Sequence, residues 1–140
     1  MRLLDVNVVL AAHRDDHPHF ERARLWLEGA LVTRSPFSVT DLVAGAFLRL
    51  ATNSRIFSTP TPLAQAFAYL QALRSQPAHV RLGPGPGHLE LLERICHDAD
   101  VTGDLVPDAQ LAAIAIEHAC ELVSFDRDFA RFTGLRWLRP

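Results

Sequence analysis

The residues on which chemistry could be built are aspartates: Asp5, Asp41, Asp104, Asp108, Asp126 and Asp128. Asp5 closes the apolar run Arg2-Leu3-Leu4, and taken alone it is the N-cap of the segment that starts at Val6. Asp41 ends Ser38-Val39-Thr40-Asp41, close to a capping box in which the acid bonds back to the cap. Asp108 stands in the first turn of a helix opened by Pro107, where a negative charge offsets the helix dipole. Asp126 and Asp128 follow an apolar strand, and Asp126 can cap a short helix containing Phe129. Asp104, in Thr102-Gly103-Asp104, is most simply a turn residue. Each acid therefore has an ordinary structural use. Yet Asp5, Asp108 and Asp126 all fall at strand exits or helix starts expected on one rim of a sheet. Independent caps need not converge, whereas metal ligands must. Carboxylates packed together at low effective dielectric repel strongly, so such a group persists only with a divalent cation or shared protons. Oxygen ligands without histidine or thiolate favour Mg²⁺ or Mn²⁺ over zinc.

The elements that must position these acids follow from periodicity. Arg2 to Asp5 reads as a strand and Asn7 to Ala12 as the helix after it. From Pro18, the spacing of Phe20, Ala23, Leu27 and Ala30 gives a helix face, and Ala30 to Thr33 is expected as a second strand. A helix carrying Leu42, Val43, Ala46, Phe47 and Leu50 ends at Asn53-Ser54. Thr61 is expected to cap a helix that begins with Pro62 and runs to Leu73. His79 to Leu82 is expected as a short strand, and Gly83 to Gly87 as a loop, since alternating prolines stop either a helix or a ladder. Helices over His88 to Ala99 and Pro107 to Ala119 precede a strand at Glu121 to Ser124. A turn and short helix over Asp126 to Phe132 and a last strand at Leu135 to Leu138 close the chain. Strands alternating with helices predict an α/β fold, a single domain over 1–140 with a central parallel sheet flanked by helices. Ligands of such sheets gather beyond the carboxyl ends of the strands.

Composition narrows the chemistry. Fourteen basic residues against sixteen acids leave a formal charge of −2, so the chain lacks the basic excess of a protein that binds nucleic acid by charge alone. All of the basic residues are arginine. The absence of lysine excludes a P-loop lysine, a Schiff-base lysine and the lysine of a receiver-like phosphoacceptor domain. Cys96 and Cys120 have no zinc-like spacing and read as buried free thiols. No apolar stretch approaches the ~20 residues of a membrane span, which predicts a soluble, cytoplasmic chain. His13, His17 and His19 read as solvated, the aromatic residues as core, and Arg49, Arg127 and Arg131 as phosphate contacts or surface ion pairs.

Three stretches resemble the PIN-domain family, and within it the VapC-type toxins of bacterial toxin-antitoxin pairs. Leu4-Asp5-Val6-Asn7-Val8-Val9-Leu10 looks like the family's first motif, an acid followed two residues later by Asn or Ser. Pro107-Asp108-Ala109-Gln110-Leu111-Ala112-Ala113, together with Leu122-Val123-Ser124-Phe125-Asp126-Arg127-Asp128-Phe129, is similar to its third and fourth motifs. The resemblance implies metal-site roles for Asp5, Asp108 and Asp126, support from Asp128, and orienting roles for Asn7 and Ser124. The family's second acid is usually a glutamate near a helix start. The matching stretch here offers Asp41, one methylene shorter, with a water-mediated contact as the expected result. Asp104 competes for the third acid, but Asp108 opens the helix as the motif requires.

The function this resemblance implies is endonucleolytic cleavage of RNA with Mg²⁺ or Mn²⁺, leaving 5′-phosphate and 3′-hydroxyl ends. Transfer RNA and ribosomal RNA are both plausible substrates. It further implies a homodimer and a small VapB-type antitoxin covering the acidic rim. The Phe47 and Leu50 stripe, or that of Phe67 and Leu70, is a candidate dimer surface. The alternative is a catalytically silent PIN-like module that binds protein.

Overall fold

The computed structural model describes residues 1–140. Four parallel strands, β1 (Arg2–Leu4), β2 (Phe37–Ser38), β3 (Glu121–Val123) and β4 (Arg136–Leu138), lie in the order β2-β1-β3-β4. Register pairs Leu3 with Ser38 on one side and with Leu122 on the other. Parallel neighbours cannot be joined by tight turns, so helices fill every long connection. α1 (Val6–His13) and α2 (Phe20–Val32) lead from β1 to β2. α3 (Asp41–Ala51), α4 (Leu63–Arg74), α5 (His88–Asp98) and α6 (Val106–Glu117) lead from β2 to β3. With helices on both faces, the inner strands have no solvent side, and Leu3, Leu4, Leu122 and Val123 are buried together with Phe37, Phe47 and Ile114.

One consequence sets the site. Parallel strands put their carboxyl ends on one rim, so Asp5 after β1, Thr40 after β2 and Ser124 after β3 leave the sheet on the same side. The predicted α/β architecture, with a central parallel sheet flanked by helices, is the observed one.

Several local expectations need correction. Leu31 and Val32 belong to the end of α2, and Thr33 caps it by bonding the Gly29 carbonyl, so the second strand forms later, at Phe37–Ser38. The stretch His79 to Leu82 adds only a single bridge between His79 and Phe37 before the chain enters the proline loop. Thr61 does not cap α4. Its hydroxyl is buried and accepts from Arg14 at 3.2 Å, beside His13 Nε2 at 3.1 Å. Phe47 and Leu70 are core residues and offer no dimer surface, whereas Phe67 is 44% exposed. His13 is half-buried, with its ring against Phe47 and Tyr69, and is not a solvated histidine. Of the two free thiols, Cys120 is buried and Cys96 only partly so.

Candidate active site

Asp5 sits in extended backbone between β1 and α1, and its Oδ1 accepts from the Val6 N–H at 2.6 Å. It is thus the helix cap the sequence allows. Its other oxygen has a different partner: Oδ2 accepts from the Ser124 hydroxyl at 2.6 Å, across 119 positions of sequence. Ser124 Oγ in turn accepts from Asn7 Nδ2 at 2.9 Å and from the Asp126 N–H at 3.0 Å. Asn7 Oδ1 closes the network by accepting from the Phe125 N–H at 3.1 Å. One hydroxyl donates once and accepts twice, which uses all of its capacity. The start of α1 and the turn after β3 are therefore fastened together through two polar side chains.

This fastening brings the acids together. Asp5 is 5% exposed, and its pKa is pushed up to about 6, first by burial and further by the charges of Asp108 and Asp126, against the lowering effect of its hydrogen bonds. Asp108, in the first turn of α6, is half-buried, and its pKa is raised by burial and then by Asp126 and Asp128. Arg131 opposes that rise, and its guanidinium lies 3.6 Å from Asp128. Asp126 caps the short 3₁₀ turn Arg127–Arg131 by accepting from the Asp128 N–H at 2.8 Å. Capping and clustering coexist in the same residues.

The donors present are carboxylate, hydroxyl and amide oxygens, which suit a hard divalent cation. No three His, Cys, Asp or Glu side chains are drawn together tightly enough to enclose an ion, so the acids are neighbours through their fields and not a closed coordination shell. Their mutual repulsion is what a cation would relieve.

Asp41 stands apart from this group. Its carboxylate is 70% exposed and is held by Arg74 at 2.7 Å and Arg81 at 3.5 Å, with Arg74 the main cause of its lowered pKa. Thr40, not a capping box with Asp41, caps α3 by accepting from the Val43 N–H at 3.3 Å. The face of α3 that lines the small cleft beside Asp5 and Asp108 carries Leu42, Val43 and Ala46. No acid occupies that face. The sequence places Ala46 on the apolar face of this helix, but its position beside the acids gives no chemical signal. Asp104 is exposed in a separate 3₁₀ turn, Gly103–Leu105, and joins none of these contacts. His19, expected to be solvated, is instead partly buried, its ring stacked on Phe125 with centroids 4.5 Å apart and planes within 18°, next to the turn that carries Asp126.

Replacing Ser124 by alanine would leave Asp5 Oδ2, Asn7 Nδ2 and the Asp126 N–H each one bond short. A buried polar group left unpaired costs about 1–3 kcal/mol, so Ser124→Ala is expected to lower stability by about 3 kcal/mol. Urea unfolding in chelator measures this, and a loss within error of zero would mean that water replaces the hydroxyl.

A family model described as PIN domain matches residues 2–135 of the chain. The chain is 55% identical over 140 residues to Ribonuclease VapC31 of Mycobacterium tuberculosis, covering 100% of this chain and 99% of the relative. Ribonuclease VapC25 of the same organism is 54% identical with the same coverage. Among solved structures, that of VapBC2 from Rickettsia felis bound to a promoter DNA fragment superposes with a TM-score of 0.71 at 15% identity, covering 99% of this chain and 98% of the other. Mycobacterium tuberculosis VapC20, described as a sarcin-ricin loop cleaving toxin, gives 0.69 at 18% identity, with coverage of 97% and 99%. At such identities the structural matches speak for the fold, and the sequence relatives for the family.

Proposed function

The chain belongs to the PIN-domain family, in its VapC ribonuclease branch, and from that membership we propose that it is a divalent-metal-dependent endoribonuclease acting as the toxin of a toxin-antitoxin pair. The observation that carries the metal-dependent reading is the buried Asp5, whose pKa is pushed up to about 6 in the company of Asp108 and Asp126. Burying one carboxylate beside two others costs stability in the empty protein, a cost that a bound cation would offset.

In this reading Asp5, Asp108 and Asp126 supply the oxygens that hold the ion. A divalent cation there lowers the pKa of a water and stabilises charge on the phosphate. Asn7 and Ser124 keep the carboxylate of Asp5 and the backbone of the Asp126 turn in fixed relation. Asp128 adds negative charge at the outer edge and holds Arg131, a cation that could meet a phosphate there. Asp41 has a lesser part, since two arginines already engage it.

The test is incubation of the purified chain with single-stranded, transfer and ribosomal RNA in Mn²⁺ or Mg²⁺. Internal cleavage leaving 5′-phosphate and 3′-hydroxyl ends is expected, stopped by chelator and lost in Asp126→Asn. Ends bearing a 2′,3′-cyclic phosphate, or cleavage that persists in chelator, would overturn the metal-activated mechanism. The silent-module reading requires no cleavage at all. The same chain, co-expressed with a candidate VapB-type antitoxin, bears on association. Here the proposal is a homodimer bound by a VapB-type antitoxin, with exposed Leu63 and Phe67 of α4 providing apolar contact area. A mass equal to that of one chain alone would count against both partners.

A further inference from the structure

A second cleft opens on the same rim, on the other side of Leu42 from the acids. It is bounded by the first turn of α3, by Gln110 and Ile114 of α6, and by the proline loop with Leu82 and Pro84. Its volume is about 190 Å³. We propose that this cleft receives one unpaired nucleobase of the RNA, next to the phosphate held at the acids. The proposal rests on the ribonuclease reading and names how that site would select its substrate.

Three features of the cleft support a base. The first is its shape and chemistry: Leu42, Ile114 and Pro84 give apolar walls for the faces of a ring, while the Gln110 amide can both donate to and accept from its edge. The second is His88, which lines the cleft with its side chain 13% exposed and adds an aromatic ring to the lining, its Nδ1 turned toward Glu117 Oε2 at 3.5 Å.

The third is that the outer wall is built in advance. The Gly85 N–H donates to Glu117 Oε2 at 3.0 Å, and His118 Nε2 lies 2.8 Å from the Gly83 carbonyl oxygen. A Cβ on Gly85 would meet the Glu117 carboxylate, so the loop lies directly against that side chain of α6. The flanking prolines stiffen it further. A preformed wall lowers the ordering cost of binding. At the mouth, Asp41 is neutralised by Arg74 and by Arg81, and Arg81 is 79% exposed and positioned for the backbone of the following nucleotide. The acids, Leu42, the cleft and Arg81 thus form one continuous track for a single strand.

The experiment uses the full chain in chelator at low salt and short single-stranded oligoribonucleotides in which an abasic site is walked through the sequence. Fluorescence anisotropy should show one position where loss of the base weakens binding about tenfold, the scale of one held base. In Gln110→Trp, whose side chain fills the cleft, that position should bind no worse without its base than with it. Equal binding at every abasic position, no binding of any oligonucleotide, or an unchanged position-specific loss in Gln110→Trp would overturn the pocket. Cleavage of the parent oligonucleotide in Mn²⁺ is scored separately. Cleavage without abasic sensitivity overturns the pocket alone, and abasic-sensitive binding without cleavage overturns the nuclease reading alone.

Discussion

Asp5→Asn is expected to abolish RNA cleavage, weaken Mn²⁺ binding by about a hundredfold, the upper end of what even the outer partners of metal ligands control, and yet raise the stability of the metal-free protein at neutral pH. The three effects have one cause. Asparagine keeps the shape of the side chain and can still accept from the Val6 N–H, so the cap on α1 survives. What disappears is the buried charge, together with the bond from the Ser124 hydroxyl, which the amide nitrogen replacing Oδ2 cannot accept, a loss of about 1 kcal/mol that subtracts from the gain. Because the pKa of Asp5 rises from 3.8 in the free residue to about 6 in the fold, the sign of its pH dependence is fixed. Below pH 3.8 both folded and unfolded chains hold the proton and no penalty exists. As pH rises the unfolded chain ionises first, and stability falls until the folded carboxyl ionises near pH 6. Above that the penalty is constant, on the order of 3 kcal/mol. Thermal melts of wild type and variant in chelator, compared at pH 4 to 8, should therefore coincide best at low pH and diverge toward pH 7, with the variant the more stable. Saturating Mn²⁺ should close this gap, since a hundredfold difference in affinity is worth about 2.7 kcal/mol to the wild type. If the variant is instead less stable at every pH and binds Mn²⁺ as well as the wild type, Asp5 is only a cap and the shared acidic site is wrong.

Much of this arrangement is legible in the sequence, and the legible part has a common physical origin. Parallel pairing follows from strands separated by helices, and it alone predicts that residues after β1, β2 and β3 share a rim. Hence Asp5 and Asp126 are expected on one rim although nearly the whole chain separates them. The failures arose where local pattern competes with packing. Leu31-Val32 is as good a strand by composition as Phe37-Ser38, but α2 continues through it, and Phe37 takes the place beside β1, where the Pro36 carbonyl accepts from the Arg2 N–H and the Ala78 carbonyl from the Phe37 N–H. Thr61-Pro62 carries a good cap signature, yet the hydroxyl is turned inward to Arg14 and His13, a tertiary demand that no local window shows. Asp41 illustrates the same limit in the site itself. The sequence places an acid at the start of α3, but a helix presents only one face to the rim, and the turn of α3 puts Asp41 toward α4 and its arginine instead. The Ser124 network was read as support for the carboxylates, whereas the double acceptance that saturates it is a property of three-dimensional placement alone.

The empty face of α3 leads to the second large effect. Leu42, Val43 and Ala46 line the cleft that Asp5 and Asp108 share, so the α3 side of the acidic group contributes no charge. Ala46→Glu would put a carboxylate there, on a half-exposed helical position whose backbone needs no change. In chelator it adds one more like charge to acids that already raise one another's pKa values, and a loss of stability on the order of 2 kcal/mol is expected. With a cation present the sign reverses, because affinity for hard ions grows with the number of charged oxygens around them, and Mn²⁺ should bind about tenfold tighter. Gly45→Glu is the control. It adds the same charge one residue earlier, at an exposed position where an added Cβ meets no neighbour, and should leave Mn²⁺ affinity within about twofold, since exposed charges are well screened. Asp41→Asn belongs in the same series, with a smaller loss of affinity than Asp108→Asn, because Arg74 and Arg81 already occupy its carboxylate. Calorimetric Mn²⁺ titrations and melts of the four variants decide the matter. Tighter binding in Ala46→Glu alone would locate the ion between α3, Asp5 and Asp108. Equal affinities in Ala46→Glu and wild type would move it outward, toward Asp126 and Asp128. A loss in Asp41→Asn as large as that in Asp108→Asn would mean that the arginines release Asp41 when the ion arrives, so that α3 contributes its charge from the first turn after all.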